Sequence, residues 1–174
     1  QITHADGRTL YMKDADGNLK FEIMITDSKG TYMGGTSGID IPIPPIPLEK
    51  DGKPNHSHVC AHVAITGESS NIVDAYENKE FDFSGTKTFD SGNDYRSQSF
   101  LTVPLKNHEN EIIGVMQLLN AKDIDSGKTI SFSAEMENQI ISLASQGAVA
   151  LTNKRLVEEL KNLFESFIQL IATA

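Results

Sequence analysis

The first apolar positions fall in two short runs, residues 9–13 (TLYMK) and 19–25 (LKFEIMI), separated by Asp14-Ala15-Asp16-Gly17-Asn18. Asp-Gly supplies the positive φ of a tight turn, so the pattern predicts a β-hairpin. A second pair of β-rich runs, residues 98–106 and 112–119, flanks Asn107-His108-Glu109-Asn110-Glu111 and predicts another hairpin. Pro104 should lie at its edge or at a bulge, where a missing N–H does no harm. Between the hairpins, residues 30–55 are punctuated by glycines and by Pro42, Pro44, Pro45, Pro47 and Pro54. They predict an irregular ordered loop, whose alternation of Ile41, Ile43, Ile46 and Leu48 with prolines suggests packing on a neighbour. A short helix is expected over residues 57–66, capped by Asn55 or Ser57 and ended by Gly67. Helical periodicity returns after Gly127, started by Ser131 or Ser133 with Glu135 or Glu137 nearby. Its first stripe is Ile140, Leu143, Ala144, Gly147, Ala148 and Leu151, suited to a sheet face. Its second, Leu156, Leu160, Leu163, Phe167, Leu170 and Ala174, steps by 4, 3, 4, 3 and 4 residues, the seam of a coiled coil. Val157, Phe164, Ile168 and Ile171 widen it toward a bundle face, which predicts a covering partner.

Several short clusters imitate chemistry without completing it. Asp14, Asp16 and Asn18 begin like a calcium loop, but Gly17 comes too early and Ile25 stands where a bidentate Glu is required. Asp123 and Asp125 fail likewise, with Ala134 in the final position. His56, His58, Cys60 and His62 form the best metal-like group, His58 and His62 being one helical turn apart. Val59 occupies the place of a zinc protease's Glu, so a histidine pair without metal is the preferred reading, with a zinc enzyme built on His58 and His62 as a third alternative that would require bound metal. Cys60 has no cationic neighbours in sequence to lower its pKa, which favours a buried core thiol. The glycines of residues 30–38 lack the Gly-Lys-Ser/Thr ending of a phosphate loop.

Bulk properties narrow the class. At 174 residues with 39% hydrophobic content, the chain can bury a core as one domain, or one domain plus an appendage. Fifteen Lys and Arg against 24 Asp and Glu give a net charge of −9, which argues against nucleic acid as the main partner. A single cysteine excludes an intrachain disulfide framework and fits a reducing cytoplasm, and no apolar run reaches the ~20 residues needed to cross a bilayer.

Residues 71–120 carry the most specific signal. The strings FDFSGTKTF and YRSQSFLTVPLKNHENEIIGVMQLLNA, with the upstream PIPPIPLEKDGKPNHSHV, resemble the GAF family of small-molecule-binding regulatory domains. The resemblance runs from about Thr9 to Leu151 and is strongest to GAF domains preceding bacterial HD or HD-GYP-type metal-dependent phosphohydrolases, the cyclic-dinucleotide phosphodiesterases. It implies an α+β fold: a central antiparallel sheet with helices on its faces and a long C-terminal helix. It also implies two regions, a sensor domain over residues 1–151 with its N-terminal helix truncated, and a signalling helix over residues 152–174 leading to an absent output domain. The HD family's His/Asp metal motif does not occur here, so this fragment is expected to be non-catalytic.

In this family the ligand lies between the sheet and the segment matching residues 72–95. The resemblance therefore puts forward Asp74, Tyr76, Phe81, Phe83, Phe89 and Tyr95 as lining, although aromatic residues in a domain without tryptophan also suit a core. Ser97, Ser99 and Gln117 would form the pocket floor, and the planar fork of Arg96 would suit a phosphate. Cyclic-nucleotide-binding GAF domains carry Asn-Lys, a spacer, Phe, three residues, then Asp-Glu. Here Asn78-Lys79 and Phe89 match, Asp94 matches as an acid, and Asn93 departs. The motif implies a lid held by a Lys79–Asp94 ion pair; a solvated surface pair contributing about 0 to 1 kcal/mol is the competing reading. Cyclic nucleotides, other purines, tetrapyrroles and small metabolites remain open as ligands, and no tightly bound cofactor or metal is expected. The expected function is a ligand sensor relaying through a homodimeric helix (Leu156, Leu160, Leu163, Phe167, Leu170) to the downstream enzyme, the alternative being a dimerisation module with a vestigial pocket.

Overall fold

The computed structural model describes residues 3–172. Strand β1 (Gly7–Lys13) pairs antiparallel with β2 (Asn18–Thr26), as the alternation predicts. In the turn, the Asp14 carboxylate accepts the backbone N–H groups of Asp16 and Asn18, and Gly17 adopts φ 78°. That is Asx-turn chemistry, which uses the oxygens a calcium ion would need.

A one-turn 3₁₀ helix (Asp27–Lys29) then delivers β3 (Thr31–Gly34) onto β2. Residues 31–34 are thus a strand where the glycine and proline content predicts an irregular loop. Gly30, at φ 60°, reverses the chain so that Thr31 falls opposite Thr26, and the β2 edge supplies partners that local propensity does not reveal. At Gly34 a Cβ would meet the Glu22 carbonyl oxygen at 2.1 Å, so only glycine lets the loop leave this strand. The loop touches β2 again through β4 (Ile46–Pro47) and forms a small hairpin of β5 (Glu49–Lys50) and β6 (Lys53–Pro54).

Helix α1 spans Val59–Thr66 and ends at Gly67 in the left-handed region. It starts later than expected because Asn55 is engaged elsewhere: its amide donates to the Pro47 carbonyl and accepts from the Ser57 N–H, stapling the loop instead of capping the helix. Strand β7 (Ser70–Ile72) joins the sheet, and helix α2 (Ser84–Asn93) follows. Its composition, SGTKTFDSGN, is poor in helix formers and gives no helical signal; a side-chain acceptor from Asp82 to the Ser84 N–H and tertiary packing hold it.

The second hairpin, β8 (Phe100–Lys106) with β9 (Ile112–Leu119), forms the centre of the sheet. Strand β7 reaches only to Thr102, so Pro104 lies beyond its end, where the missing N–H has no ladder partner to lose. A short ribbon of β10 (Ala121–Lys122) and β11 (Thr129–Ile130) leads to α3, one continuous helix over Ala134–Ala172. Ser133 accepts the Met136 N–H at its start. Residue 174, the last member of the heptad seam, lies outside the described residues.

The sheet order is β3-β2-β1-β9-β8-β7, with β4 beside β2. Side-chain alternation sorts the core into two layers. Leu101, Val103, Leu105 and Leu118 face α3 through Ile140, Ala144 and Ala148. Tyr11, Phe100 and Val115 face α1 through Val59, Cys60 and Val63, with Phe81 and Phe83 from the following segment. This α+β arrangement leaves a hollow on each face of the sheet: an aliphatic one of about 470 Å³ against α3, and an aromatic-walled one on the α1 side.

Candidate functional site

The hollow on the α1 side is a cavity of about 500 Å³, in the range that suits small molecules. Its floor comes from neighbouring strands: Thr9 lies opposite Gln117, and Gln117 opposite Thr102. The Tyr11 hydroxyl donates to Gln117 Oε1 at 3.2 Å, and Gln117 Nε2 donates to Thr102 Oγ1 at 3.1 Å. Gln117 is 8% exposed and Thr102 fully buried, so these bonds fix the amide in a dry setting. Aromatic rings form the walls: Phe21 at 4.7 Å from Tyr11, and Phe83 at 5.2 Å from Phe100. The roof combines the proline-rich stretch, residues 43–47, with the α2 residues Gly85, Thr86 and Phe89. Phe89 is 49% exposed, a large apolar ring held at the mouth.

Behind the walls stand two carboxylates. Asp90, 1% exposed, accepts the Tyr76 hydroxyl at 2.9 Å, the Ser97 N–H at 2.7 Å and the Ser97 hydroxyl at 2.9 Å. It thereby fixes the chain where α2 returns to the sheet. Asp6 accepts the Tyr95 hydroxyl at 2.7 Å and both the N–H and hydroxyl of Ser28. Burial pushes the Asp6 carboxyl up, but the bonds from Ser28 and Tyr95 outweigh it and hold the group below the ordinary carboxylate range. Burial, reinforced by the Asp6 acceptor, raises the Tyr95 phenol. Asn120 Nδ2 also donates to the Tyr95 oxygen, so one phenol ties a cavity wall to the N-terminal segment and to the end of β9.

No activated nucleophile results. Cys60 lines the cavity, but burial pushes its thiol up to about 12, and burial likewise raises Tyr11 well above the usual phenol range. A protonated thiol and neutral phenols at pH 7 can pack and donate hydrogen bonds; they do not attack.

Of the residues put forward from the sequence, Phe83, Phe89, Tyr95, Ser97 and Gln117 line the cavity. Phe81 is buried beside it, edge-on to His62 at 5.2 Å. Asp74 and Arg96 form an ion pair at 2.7 Å outside it, with the Arg96 guanidinium 4.6 Å from the Tyr76 ring centre. Ser99 faces the α3 side, where its hydroxyl donates to the Ile130 carbonyl, because Phe100 next to it takes the cavity side of the strand. Ser97 escapes that alternation by preceding the strand. The lid ion pair expected between Lys79 and Asp94 is not formed. Asn78 closes a turn by accepting the Glu80 and Phe81 N–H groups, Lys79 is exposed, and Asp94 ends α2 with φ 47°. Lys29 meets the Asp94 carbonyl instead, at 2.7 Å. The fold inserts α2 between the two ends of the motif, which sequence spacing did not show.

Among the described residues no group of three His, Cys, Asp or Glu side chains could hold a metal ion. His62 pairs with His56, Nδ1 to Nδ1 at 3.1 Å, while His58 lies at the cavity. The cavity residues that sequence reasoning missed include Thr9, Tyr11, Phe21, Phe100 and the Ile43–Pro47 roof. The Ile/Pro alternation was the available signal for the roof, and hairpin periodicity for Thr9 and Tyr11.

An antiparallel sheet flanked by helices, with a hollow walled by aromatics and roofed by a loop and short helix, fits a regulatory small-molecule sensor. The chain matches the GAF domain family over residues 1–151 and belongs to that family. It is 31% identical over 101 residues, 58% of this chain, to the dual 3′,5′-cyclic-AMP and -GMP phosphodiesterase 11 of Drosophila melanogaster, and 30% identical over 112 residues to phosphodiesterase 11A of Takifugu rubripes, 63% of this chain. It spans only 6% and 12% of those two proteins. Among solved structures, the GAF domain of a phosphoenolpyruvate-protein phosphotransferase from Coxiella burnetii superposes with a TM-score of 0.61 at 16% identity, covering 89% of this chain and 76% of that one. These relatives have an output different from the HD-type enzyme that the sequence strings suggest.

Proposed function

We propose that this domain senses a small planar ligand in the aromatic-walled cavity and relays its occupancy through α3, in a homodimer, to an output domain in the same protein. The cavity itself carries the reading: about 500 Å³ is left open beneath α2, walled by Tyr11, Phe21, Phe83 and Phe100 and floored by Gln117, whereas the hollow of about 470 Å³ between the sheet and α3 is lined mainly by aliphatic side chains. Phe83, Phe89, Tyr95, Ser97 and Gln117 are the proposed ligand contacts. Asp74, Tyr76, Asp90 and Arg96 hold α2 and its return in place. The route outward starts at Tyr95, since its bonds to Asp6 and Asn120 reach the first strand and the ribbon that enters α3. Ligand would shift the helix only through unequal affinity for two arrangements of this network.

The dimer is supported by α3, where Leu160, Leu163, Phe167 and Leu170 are all more than half exposed. Cyclic AMP and cyclic GMP, named in the two phosphodiesterase relatives, are the first planar ligands to test. The sequence strings resemble GAF domains that precede bacterial HD-type phosphohydrolases, and such an enzyme is the proposed output. No helix among the described residues is long and apolar enough to cross a membrane.

Native mass spectrometry of the purified domain, followed by a thermal-shift screen, tests the reading. A co-purified small molecule, or a specific stabilisation abolished by filling the cavity with Ser97→Phe, supports it. An empty dimer that no ligand stabilises overturns it in favour of a dimerisation module.

A further inference from the structure

The sensor reading leaves the chemistry of the ligand open, and the lining of the cavity narrows it. Arg8 and Asp82 are its formally charged residues; His58, Cys60, Tyr11 and Tyr95 are also titratable. The Arg8 guanidinium pairs with Asp27 through Nη2, and its Nε is buried without a partner among the described residues. Asp82 accepts the Ser84 N–H, and hydrogen bonds to Ser84 favour its charged form. No lysine lines the cavity, and two further carboxylates, Asp6 and Asp90, stand directly behind Tyr95 and Ser97. An anion entering here would leave water and meet carboxylates, while the lining arginine is already paired with Asp27.

The floor offers something different. Gln117 uses one lone pair of Oε1 for Tyr11 and one N–H of Nε2 for Thr102. An amide oxygen has two lone pairs and an amide nitrogen two N–H groups, so one acceptor and one donor remain. They belong to a side chain 8% exposed, fixed between its two partners beneath aromatic walls. A group that complements both is itself amide-like, with an N–H beside a C=O; a group lacking them would leave buried polar atoms unpaired.

Resting on the sensor reading, we propose that the cavity selects an uncharged flat heterocycle bearing a lactam edge, read by the amide of Gln117, and discriminates against the same ring carrying a phosphate. Phe83 and Phe89 pack on the ring, and Gln117 sets its orientation. The discrimination arises from Asp82, Asp6 and Asp90, which act on the phosphate and leave the neutral ring alone.

Hypoxanthine, inosine and inosine 3′,5′-cyclic phosphate test this directly, since all three share one lactam edge and only the last is charged. Isothermal titration on the dimeric protein should show hypoxanthine or inosine binding at least tenfold more tightly than the cyclic phosphate. Gln117→Leu should weaken the neutral ligands at least tenfold. Gln117→Met serves as the second variant if the first does not fold, with circular dichroism as the check. Phe89→Ala, at an exposed position, should weaken all three together. Equal or tighter binding of the cyclic phosphate overturns the proposal and leaves the sensor reading intact, as does native mass spectrometry that finds a bound anion. Unchanged affinity in the Gln117 variants also overturns it. A cavity that takes none of the three and carries no co-purified molecule overturns both readings.

Discussion

At the scale of single residues, Asp90 is the group on which the cavity wall depends. It meets three donors while 1% exposed. Asp90→Ala leaves the Tyr76 and Ser97 donors unpaired, and each buried unsatisfied group costs ~1–3 kcal/mol, so a loss of roughly 3 kcal/mol is expected in urea unfolding. Cys60 yields a pH prediction. Its folded pKa is raised to about 12, whereas an unfolded thiol titrates near ~8.5. Stability is therefore unaffected by this group below about pH 8.5 and declines from there as pH rises toward the folded value. Cys60→Ala should flatten the alkaline limb of a stability–pH curve, and at pH 8 the native thiol should react with Ellman's reagent no faster than the protein unfolds. Asp6 works in the opposite direction. Its lowered pKa contributes stability above the unfolded carboxylate value of ~3.9, and that stability is lost as pH falls through the folded value. Tyr95→Phe removes one of the bonds that lower it and should move acid unfolding to higher pH. The buried Cys60 thiol was expected from the absence of cationic neighbours in sequence, whereas the Asp6 shift was not legible there: Asp6 and Tyr95 lie 89 positions apart.

At the scale of elements, α2 separates packing from binding. Just before its first residue, Phe83 is buried against Phe100; within it, Phe89 stands half in solvent at the mouth. Phe83→Ala should cost ~3–5 kcal/mol, as for other buried aromatic truncations. Phe89→Ala should cost under ~1 kcal/mol and act on ligand affinity instead. Chemical denaturation of the two variants beside ligand titration distinguishes them. Both hairpins and α1 were readable because their periodicity and turn residues agree locally. Strand β3 and α2 were not: β3 has four residues and exists through the β2 edge, and α2 is built from Ser, Gly, Thr and Asp, which favour turns. Missing α2 also misled the lid. Lys79 and Asp94 can meet across a loop, but a ten-residue helix keeps them apart.

At the scale of the whole molecule, α3 dominates. Thirty-nine residues of continuous helix extend about 58 Å at 1.5 Å per residue, far beyond the sheet that covers its first stripe. The remainder exposes Leu156, Leu160, Leu163, Phe164, Phe167 and Leu170. Such a length of apolar helix persists in water only when paired, and the 3.5-residue spacing fits a parallel or antiparallel partner of the same sequence. Leu163→Glu with Phe167→Glu should convert a dimer to a monomer in analytical ultracentrifugation while leaving the sheet's circular dichroism unchanged.

The sequence alone determined the class of this domain: the two hairpins and the heptad seam follow from local periodicity, the α+β fold is what the GAF resemblance implies, and most of the strings that carry it lie on the β8–β9 hairpin and the segment before it. Five of the eleven expected ligand residues, Phe83, Phe89, Tyr95, Ser97 and Gln117, reach the cavity. Which side of a strand faces a hollow is a tertiary decision. Ser97 and Ser99 are two positions apart and share a residue type, yet one lines the cavity and the other holds the β11 carbonyl of Ile130, because the strand and its alternation begin only at Phe100. The roof over the cavity and the carboxylates behind it are likewise brought together by contacts between residues tens of positions apart, for which no local pattern exists.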